Sequence, residues 1–172
     1  IRDIAASLRD ACGDALADEP PEGRFRAEAE RVIFDEIRAT CSALGIAFDV
    51  YTNETDLYSG GRIEETLAEL RARDLVYEAD GAVWLRATTL GLDRDRVLVK
   101  GTGEPTYLLP DIAYHREKFR RGFELVVDVQ GADHYGQFPF ARAAAGALGC
   151  DPERIQLVMH QFVTLTSGGQ TV

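Results

Sequence analysis

Apolar residues in the first third of the chain recur at the three- and four-residue spacing of an amphipathic helix. The series runs from Phe25 to Leu44 and is followed by Gly45. Because residues three and four apart share one helix face, this spacing predicts a helix that ends at the glycine. The segment IAFDVYT, residues 46–52, predicts a strand, and GGRIEETLAELRARD, residues 60–74, predicts a second helix.

The apolar period then changes to one that is typical of strands. LVYEADGAVWLRA contains two apolar runs around Asp80-Gly81, the pair that a two-residue type I′ turn prefers because both central positions need positive φ. DRVLVKGTGEPTYLL predicts a second hairpin, with its loop over residues 101–105. We therefore expect residues 76–107 to form a β-ribbon that stands off the main sheet, with Trp84 packed within it.

The last third of the chain alternates helix and strand. The apolar pattern predicts a helix over 111–121, a strand in FELVVDV, a helix over 137–148 and a strand in IQLVMHQFVTL. TSGGQTV predicts a turn whose second strand has only begun. This alternation indicates an α/β fold with an open parallel sheet, preceded by helical and ribbon segments. We divide the chain into residues 1–45, 46–75, 76–107 and 108–172.

Composition narrows the class of protein. With 172 residues, 45% of them hydrophobic, the chain is long enough for one domain with a substantial core. Its net charge of −10 argues against binding to nucleic-acid backbone and would suit a cationic small substrate, but a solvated acidic surface is the favoured explanation. No uncharged apolar run approaches the roughly 18 residues of a membrane span, and no signal peptide is evident, so we expect a cytoplasmic protein.

The three cysteines give no sign of a metal site or a disulfide framework. Cys12, Cys41 and Cys150 are far apart, odd in number and without CxxC spacing. We expect them to be small buried hydrophobic residues.

Candidate chemistry follows the predicted strand VVDV, at the sheet edge where parallel sheets bind ligands. Gly131 lets the backbone approach a ligand closely. Asp133 and His134 stand at the entrance to the next helix, where a carboxylate and exposed amides can meet a ligand. Asp133 could instead serve only as a helix cap.

Asp111 has the same two interpretations. It follows Pro110 at the predicted mouth of a helix, where it could cap the helix or bind a ligand. His115 shares its helix face. With Asp133 and His134 these residues could form a metal cluster of two histidines and two carboxylates, but the sequence has no paired-histidine motif, so we predict no metal site.

Several segments together resemble the catalytic region of bacterial arginyl-tRNA synthetase. They are NETDLYSGGRIEETLAEL, YEADGAVWL, DRVLVKGTGEPTYLLPDIAYHREKFRRGFELVVDVQGADHYGQF and MHQFVTLTSGGQTV, in that order and at the family's spacing. The resemblance covers nearly the whole chain from about residue 46, and residues 1–45 resemble the preceding stretch more loosely. It implies a class I synthetase with a Rossmann-type catalytic sheet, of which residues 108–172 would form one half.

The resemblance also implies substrates and site residues. Such an enzyme uses ATP with Mg²⁺ to convert L-arginine to arginyl-adenylate and transfers the arginyl group to tRNA(Arg). Tyr107 and Asp111 match positions that line the family's arginine pocket. Gly131, Asp133 and His134 lie in an element that resembles the class I nucleotide contact, and Val163 is a further candidate for ATP.

Two elements of the family are missing from the chain. The HIGH and KMSKS elements, which handle the ATP phosphates, are not found, so the catalytic residues proper are unknown. We expect the chain to be a catalytic-core fragment of a monomeric arginine–tRNA ligase, inactive in isolation. The alternative is a stand-alone arginine-binding or interaction module without ligase activity.

Overall fold

A computed structural model describes residues 1–20, 23–132, 135–161 and 163–171. The chain divides into two compact units, Ile1–Tyr51 and Thr52–Val172. None of the described helices is both long enough and apolar enough to cross a membrane.

The first unit is helical. Helix α1 spans Arg2–Cys12, a short 3₁₀ helix spans Gly13–Leu16, and helix α2 spans Arg24–Ala43. The prediction of a helix that ends before Gly45 is therefore confirmed. Gly45 has a φ of 72°, a left-handed conformation that glycine adopts without strain.

The strand predicted for residues 46–52 is wrong. All seven residues of this segment are described, and none of them belongs to a strand. Tyr51 instead makes edge-on contacts with the rings of Phe34 on α2, at 6.0 Å, and Phe48, at 5.5 Å. The aromatic side chains pack against a helix and the segment pairs with no strand, which its residue pattern could not reveal.

The second unit begins with two short helices. Helix α3 spans Glu54–Ser59 and helix α4 spans Arg62–Ala72. The side chain of Asn53 caps α3 by accepting a hydrogen bond from the Thr55 amide at 2.9 Å. Helix α4 confirms the prediction for residues 60–74 and buries one face against the core.

The predicted ribbon is confirmed as a three-stranded antiparallel sheet. Strands β1 (Val76–Ala79), β2 (Ala82–Leu85) and β3 (Arg96–Val99) lie in the order β1-β2-β3. Asp80 and Gly81 have φ of 52° and 73°, as a type I′ turn requires. Trp84 packs within the ribbon, because its ring stacks on Tyr77 and its Nε1 donates to the Ala79 carbonyl at 3.2 Å.

The second hairpin is shorter than predicted. Its loop closes through the Lys100 amide, which donates to the Glu104 carbonyl at 2.8 Å, and through one bridge between Val99 and Pro105. The chain then enters helix α5, Leu108–Arg120, three residues before the predicted start. The early start is possible because proline is tolerated in the first helical turn, where its missing N–H would have no partner.

A parallel strand pair completes the α/β architecture. Strand β4 (Val126–Gly131) pairs in parallel with strand β5 (Ile155–His160), and helix α6 (Phe138–Ala147) connects them. A 3₁₀ helix, Pro152–Arg154, precedes β5. The terminal turn is confirmed as strands β6 (Thr166–Ser167) and β7 (Gln170–Thr171). The predicted continuation of β5 to residue 165 is wrong, because β5 ends at His160.

Helix α5 lies at the centre of the main core. Its residues Leu109 and Ile112 are fully buried, together with Leu70 of α4, Leu85 of β2 and Leu98 of β3. Helix α5 also contacts α3, α6 and β4, so it is packed on several sides. The candidate site lies at its first turn.

Candidate functional site

Asp111 lies in the first turn of α5 but does not cap the helix. Tyr107 occupies the N-cap position and makes no side-chain capping bond. The Asp111 carboxylate instead accepts a hydrogen bond from Nε2 of Gln137, the residue before α6, at 2.5 Å. The helix-cap interpretation of Asp111 is therefore wrong, because this carboxylate is oriented by a side chain of another element.

A cavity of about 190 Å³ opens beside Asp111. The side chains around it combine two acids with an aromatic ring and small or apolar groups: Thr52, Glu54, Leu57, Pro110, Asp111 and Tyr114. Glu54 is the first residue of α3, whose capped N-terminus fixes its backbone. Helices α3 and α5 thus bring two carboxyl groups to one small cavity.

Burial and charge act against each other at Asp111. Burial raises the pKa of this carboxyl above its usual range, whereas the hydrogen bond from Gln137 and the nearby His115 lower the pKa and partly offset the rise. A carboxylate that has lost part of its water shell gains more from a bound cation than an exposed one does. The cavity is therefore suited to a positively charged group with several N–H donors.

His115 supports Asp111 from one turn further along α5. Its Nδ1 lies 2.7 Å from the Asp111 carbonyl oxygen, and its Nε2 lies 2.6 Å from Oδ2 of Asp128 on β4. Lys118 donates to the other Asp128 oxygen at 2.7 Å. Burial alone would raise the pKa of Asp128, but the hydrogen bonds from His115 and Lys118 outweigh it and hold that pKa at about 2.

The structure places the other predicted arginine-pocket residue differently. The Tyr107 side chain is 80% exposed and does not line the cavity beside Asp111. Its carbonyl oxygen accepts the Asp111 amide hydrogen at 3.2 Å, so the two residues are one helical turn apart.

Two of the predicted nucleotide contacts, Gly131 and Val163, lie at the end of β4 and beyond the end of β5. Gly131 is the last residue of β4 and pairs with His160, the last of β5. Val163 is 83% exposed. Asp133 and His134 lie outside the described residues. The Gln137–Asp111 hydrogen bond nevertheless ties the helix after this loop to the first turn of α5.

A second cavity, of about 530 Å³, borders the ribbon and α6 and also includes Gln137. Arg96, on its wall, places its guanidinium carbon 4.5 Å from the centre of the Phe140 ring. Arg96 offsets the charge of Asp95, which also lines this cavity, so the larger cavity is a poorer site for a guanidinium than the smaller cavity with its two acids.

The residue pattern did not single out Glu54 or Gln137. Both stand within segments that carry the family resemblance, yet nothing in their spacing connects them to Asp111. Among the residues that the structure describes, no group of three or more His, Cys, Asp or Glu side chains could hold a metal ion. All three cysteines are free and only half-buried, less than expected.

Comparison with known proteins identifies the family. The family profile for the catalytic domain of class I tRNA synthetases (R) matches residues 16–171. The chain belongs to this family. It is 49% identical to the arginine–tRNA ligase of Desulfotalea psychrophila and 48% identical to that of Salinibacter ruber. Each match covers 100% of this chain and 31% of the relative, so the chain spans about a third of the length of these ligases.

Solved structures give the same fold. A Campylobacter jejuni protein described as a candidate arginyl-tRNA synthetase superposes with a TM-score of 0.87 at 29% identity, over 99% of this chain and 37% of that one. The arginyl-tRNA synthetase of Plasmodium falciparum matches 86% of this chain and 26% of its own, with a TM-score of 0.67 at 17% identity. The predicted class I α/β catalytic fold is thereby confirmed.

Proposed function

We propose that this chain is the catalytic segment of an arginine–tRNA ligase. The whole enzyme would convert L-arginine and ATP, with Mg²⁺ entering as part of the nucleotide substrate, to arginyl-adenylate and then transfer the arginyl group to tRNA(Arg). It would work as a monomer in the cytoplasm. The family match and the names of the relatives support this reaction.

The acidic cavity beside Asp111 is the observation that favours arginine as the substrate. A guanidinium is planar, always charged and presents its N–H donors as a fork, which a carboxylate can accept in pairs. Asp111 and Glu54 supply two carboxyl groups, and Tyr114 supplies an aromatic wall. We assign guanidinium binding to Asp111 with Glu54, and assign to Tyr107, one turn away, the covering of the bound substrate.

The nucleotide site is proposed at the carboxyl ends of β4 and β5. Parallel α/β sheets bind ligands at this edge, so we assign ATP contacts to Gly131, Asp133, His134 and Val163. The hydrogen bond between Gln137 and Asp111 supports a shared site, because it joins the helix that follows the Gly131 loop to the arginine cavity.

Asp111→Asn in the full-length ligase tests the proposed function. Asparagine keeps the shape but removes the charge. A hydrogen bond to a charged group contributes roughly 1.5–3 kcal/mol, and a buried cation without its partner costs about 3–5 kcal/mol. Since about 1.4 kcal/mol corresponds to tenfold, the arginine KM in ATP–pyrophosphate exchange should rise on the order of 10- to 1,000-fold, with the ATP KM little changed.

Two further variants make the test specific. Glu54→Gln should raise the arginine KM in the same selective way. Asp151→Asn makes the same chemical change at a residue whose carboxylate caps a 3₁₀ helix through the Glu153 amide, and it should leave both KM values unchanged. An unchanged arginine KM in Asp111→Asn would remove Asp111 from the pocket. Absence of arginine-dependent exchange in the unmodified full-length protein would favour the stand-alone binding module instead.

A further inference from the structure

His115 makes two hydrogen bonds that a neutral imidazole cannot make together. Its Nδ1 faces the Asp111 carbonyl oxygen at 2.7 Å, and its Nε2 faces Oδ2 of Asp128 at 2.6 Å. A carbonyl oxygen only accepts, and so does an ionised carboxylate. Neutral histidine has a single N–H, so one of these contacts would bring two lone pairs together, whereas an imidazolium donates to both.

The surroundings of the ring favour this charge. His115 is 4% exposed and Asp128 is 8% exposed, so their attraction is weakly screened. Lys118, on the same helix, donates to the second Asp128 oxygen and competes for that carboxylate without replacing the His115 bond. Burial opposes ionisation of Asp128, yet its two hydrogen-bond donors keep its pKa at about 2, so the acceptor facing Nε2 is an anion near neutral pH.

Other charged groups on the packed elements have partners of their own. On α4, Glu65 and Glu69 pair with Arg120 and Arg116 of α5. On β3, Arg96 lies over the ring of Phe140.

The two remaining polar residues near Asp111, Glu54 and Gln137, lie on the elements beside the small cavity. Helix α3 brings Glu54 to the cavity that also borders Asp111. At the start of α6, Gln137 meets the Asp111 carboxylate as a neutral donor. The acids that face the His115 ring directly are therefore Asp128, through its side chain, and Asp111, through its carbonyl and the field of its carboxylate.

We infer that His115 is held as an imidazolium by Asp128 and acts as a positioning residue, which fixes the first turn of α5 and keeps the Asp111 carboxylate ionised for the guanidinium. This inference rests on the proposed role of Asp111 in binding arginine. The bond to the Asp111 carbonyl sets the backbone from which the carboxylate projects. The positive ring opposes the rise in the Asp111 pKa that burial causes.

The inference predicts how arginine binding depends on pH. Asp111 binds a guanidinium only when it is ionised, and loss of the nearby positive charge would raise its pKa further. Fewer Asp111 side chains would then be ionised as the pH falls. Each unit of pKa rise lowers the ionised fraction up to tenfold in the titrating range. The ratio of variant to wild-type arginine KM should therefore grow as the pH falls from 8 to 5.5, by at most about tenfold for each unit by which the variant raises the Asp111 pKa.

The first measurement determines the protonation state of the His115 ring directly. Nitrogen NMR of the full-length ligase labelled with ¹⁵N-histidine distinguishes an imidazolium from either neutral tautomer, and His115→Gln assigns the signal. We expect both His115 nitrogens to remain protonated at pH 7.5 in the wild type, without arginine present. In Asp128→Asn we expect the ring to become neutral at that pH. A neutral His115 ring in the wild type at pH 7.5 would overturn the inference.

The second measurement is the arginine KM from pH 5.5 to 8 for wild type, His115→Gln and Asp128→Asn. His115→Gln should show the growing KM ratio. Asp128→Asn also removes a negative charge that raises the Asp111 pKa, so its KM ratio should grow less. Thr66→Val is the structural control. It removes a hydroxyl of α4 that accepts a hydrogen bond, at 3.1 Å, from Arg116, which is on the same helix as His115. It should lower the melting temperature and leave the pH profile parallel to that of the wild type.

The outcomes separate this inference from the proposed function. If Asp111→Asn raises the arginine KM but His115→Gln gives a KM ratio independent of pH, the positioning role fails and the proposed function stands. If Asp111→Asn leaves the arginine KM unchanged, the proposed function fails whatever the state of the His115 ring. If neither His115→Gln nor Asp128→Asn folds, the His115 signal is assigned by substituting the other histidines one at a time, and the wild-type NMR measurement then decides.

Discussion

At the scale of single residues, Asp128 shows how a buried acid can stabilise a fold. It accepts hydrogen bonds from two donors, His115 and Lys118, that lie three positions apart on one face of α5. These bonds outweigh the burial that would otherwise raise its pKa. A buried carboxylate with only one such partner would be far less favourable.

The pKa of Asp128 predicts an acid-dependent contribution to stability. An unfolded aspartate titrates near 3.9, and Asp128 titrates at about 2 in the fold. Between these values the unfolded chain binds more protons, so stability rises with pH there. The contribution of about 2 kcal/mol should be complete above about pH 5 and lost as the pH falls through about 2.

Urea unfolding of wild type and Asp128→Asn at several pH values measures this contribution. The free-energy difference between them should be largest from pH 5 to 7 and should shrink towards pH 2. Using the difference reduces the contribution of Asp111, whose raised pKa has the opposite effect because it favours the fold as the pH falls; Asp128 is one of the smaller causes of that rise. Asp151→Asn serves as the control for removing one charge. A difference that stays constant from pH 7 to pH 2 would contradict the assignment.

At the scale of elements, the sequence predicted local structure better than it predicted which segments pair as strands. The type I′ turn at Asp80-Gly81 was predictable because its preference lies within two residues. The segment 46–52 was not, because a strand needs a neighbour and this segment meets α2 through Tyr51 instead. The start of α5 differs from the prediction because a proline such as Pro110 often marks a helix boundary, although a first helical turn accepts it.

The site was predictable only in part. Motif resemblance points to Asp111 without any geometry, but the helix-cap interpretation could be excluded only from its observed contacts. Glu54 lines the cavity because α3 packs near α5. This is a tertiary arrangement that no local sequence pattern predicts. The assignments of Tyr107 and of the ATP contacts remain predictions.

Gly81 offers a test of the ribbon turn. Its φ of 73° is strained for an L residue, although an added Cβ would meet nothing closer than the Gly101 Cα at 4.0 Å. The cost of Gly81→Ala therefore comes from backbone conformation and not from collision, and we expect a loss of about 1–2 kcal/mol in unfolding free energy. Thermal or urea unfolding of the chain measures it.

Two variants isolate this cause. Gly81→Asn should lose less unfolding free energy than Gly81→Ala, because asparagine tolerates the left-handed region better than alanine does. Gly101→Ala lies in the opposite loop at an ordinary φ, where the nearest atoms to a new Cβ are 3.7 Å away, and should be close to neutral. Equal losses in Gly81→Ala and Gly101→Ala would show that φ is not the cause.

At the scale of the whole molecule, the parallel pair β4–β5 is covered on one face and open on the other. The covered face includes Val126, 5% exposed, and Ile155, 1% exposed, which packs in a small cluster with Phe138 of α6. On the open face, Val127 and Val129 are 45% and 68% exposed. Val129 lies opposite Val158, which is 51% exposed. Parallel sheets are normally buried on both faces, so this apolar surface is unusual for such a sheet.

The open face predicts how the 172-residue chain behaves in solution. Exposed valines on a sheet should bind the dye ANS, and the double change Val127→Thr with Val129→Thr should lower dye fluorescence and raise solubility. Threonine keeps the branched shape that strands favour, and exposed substitutions usually alter stability by no more than about 0.5 kcal/mol, so the melting temperature should hold. Val126→Thr, on the covered face, should instead lower the melting temperature without reducing dye binding, because it buries a hydroxyl. Dye fluorescence that is unchanged in the double variant would mean that the apolar surface which binds ANS lies elsewhere on the molecule.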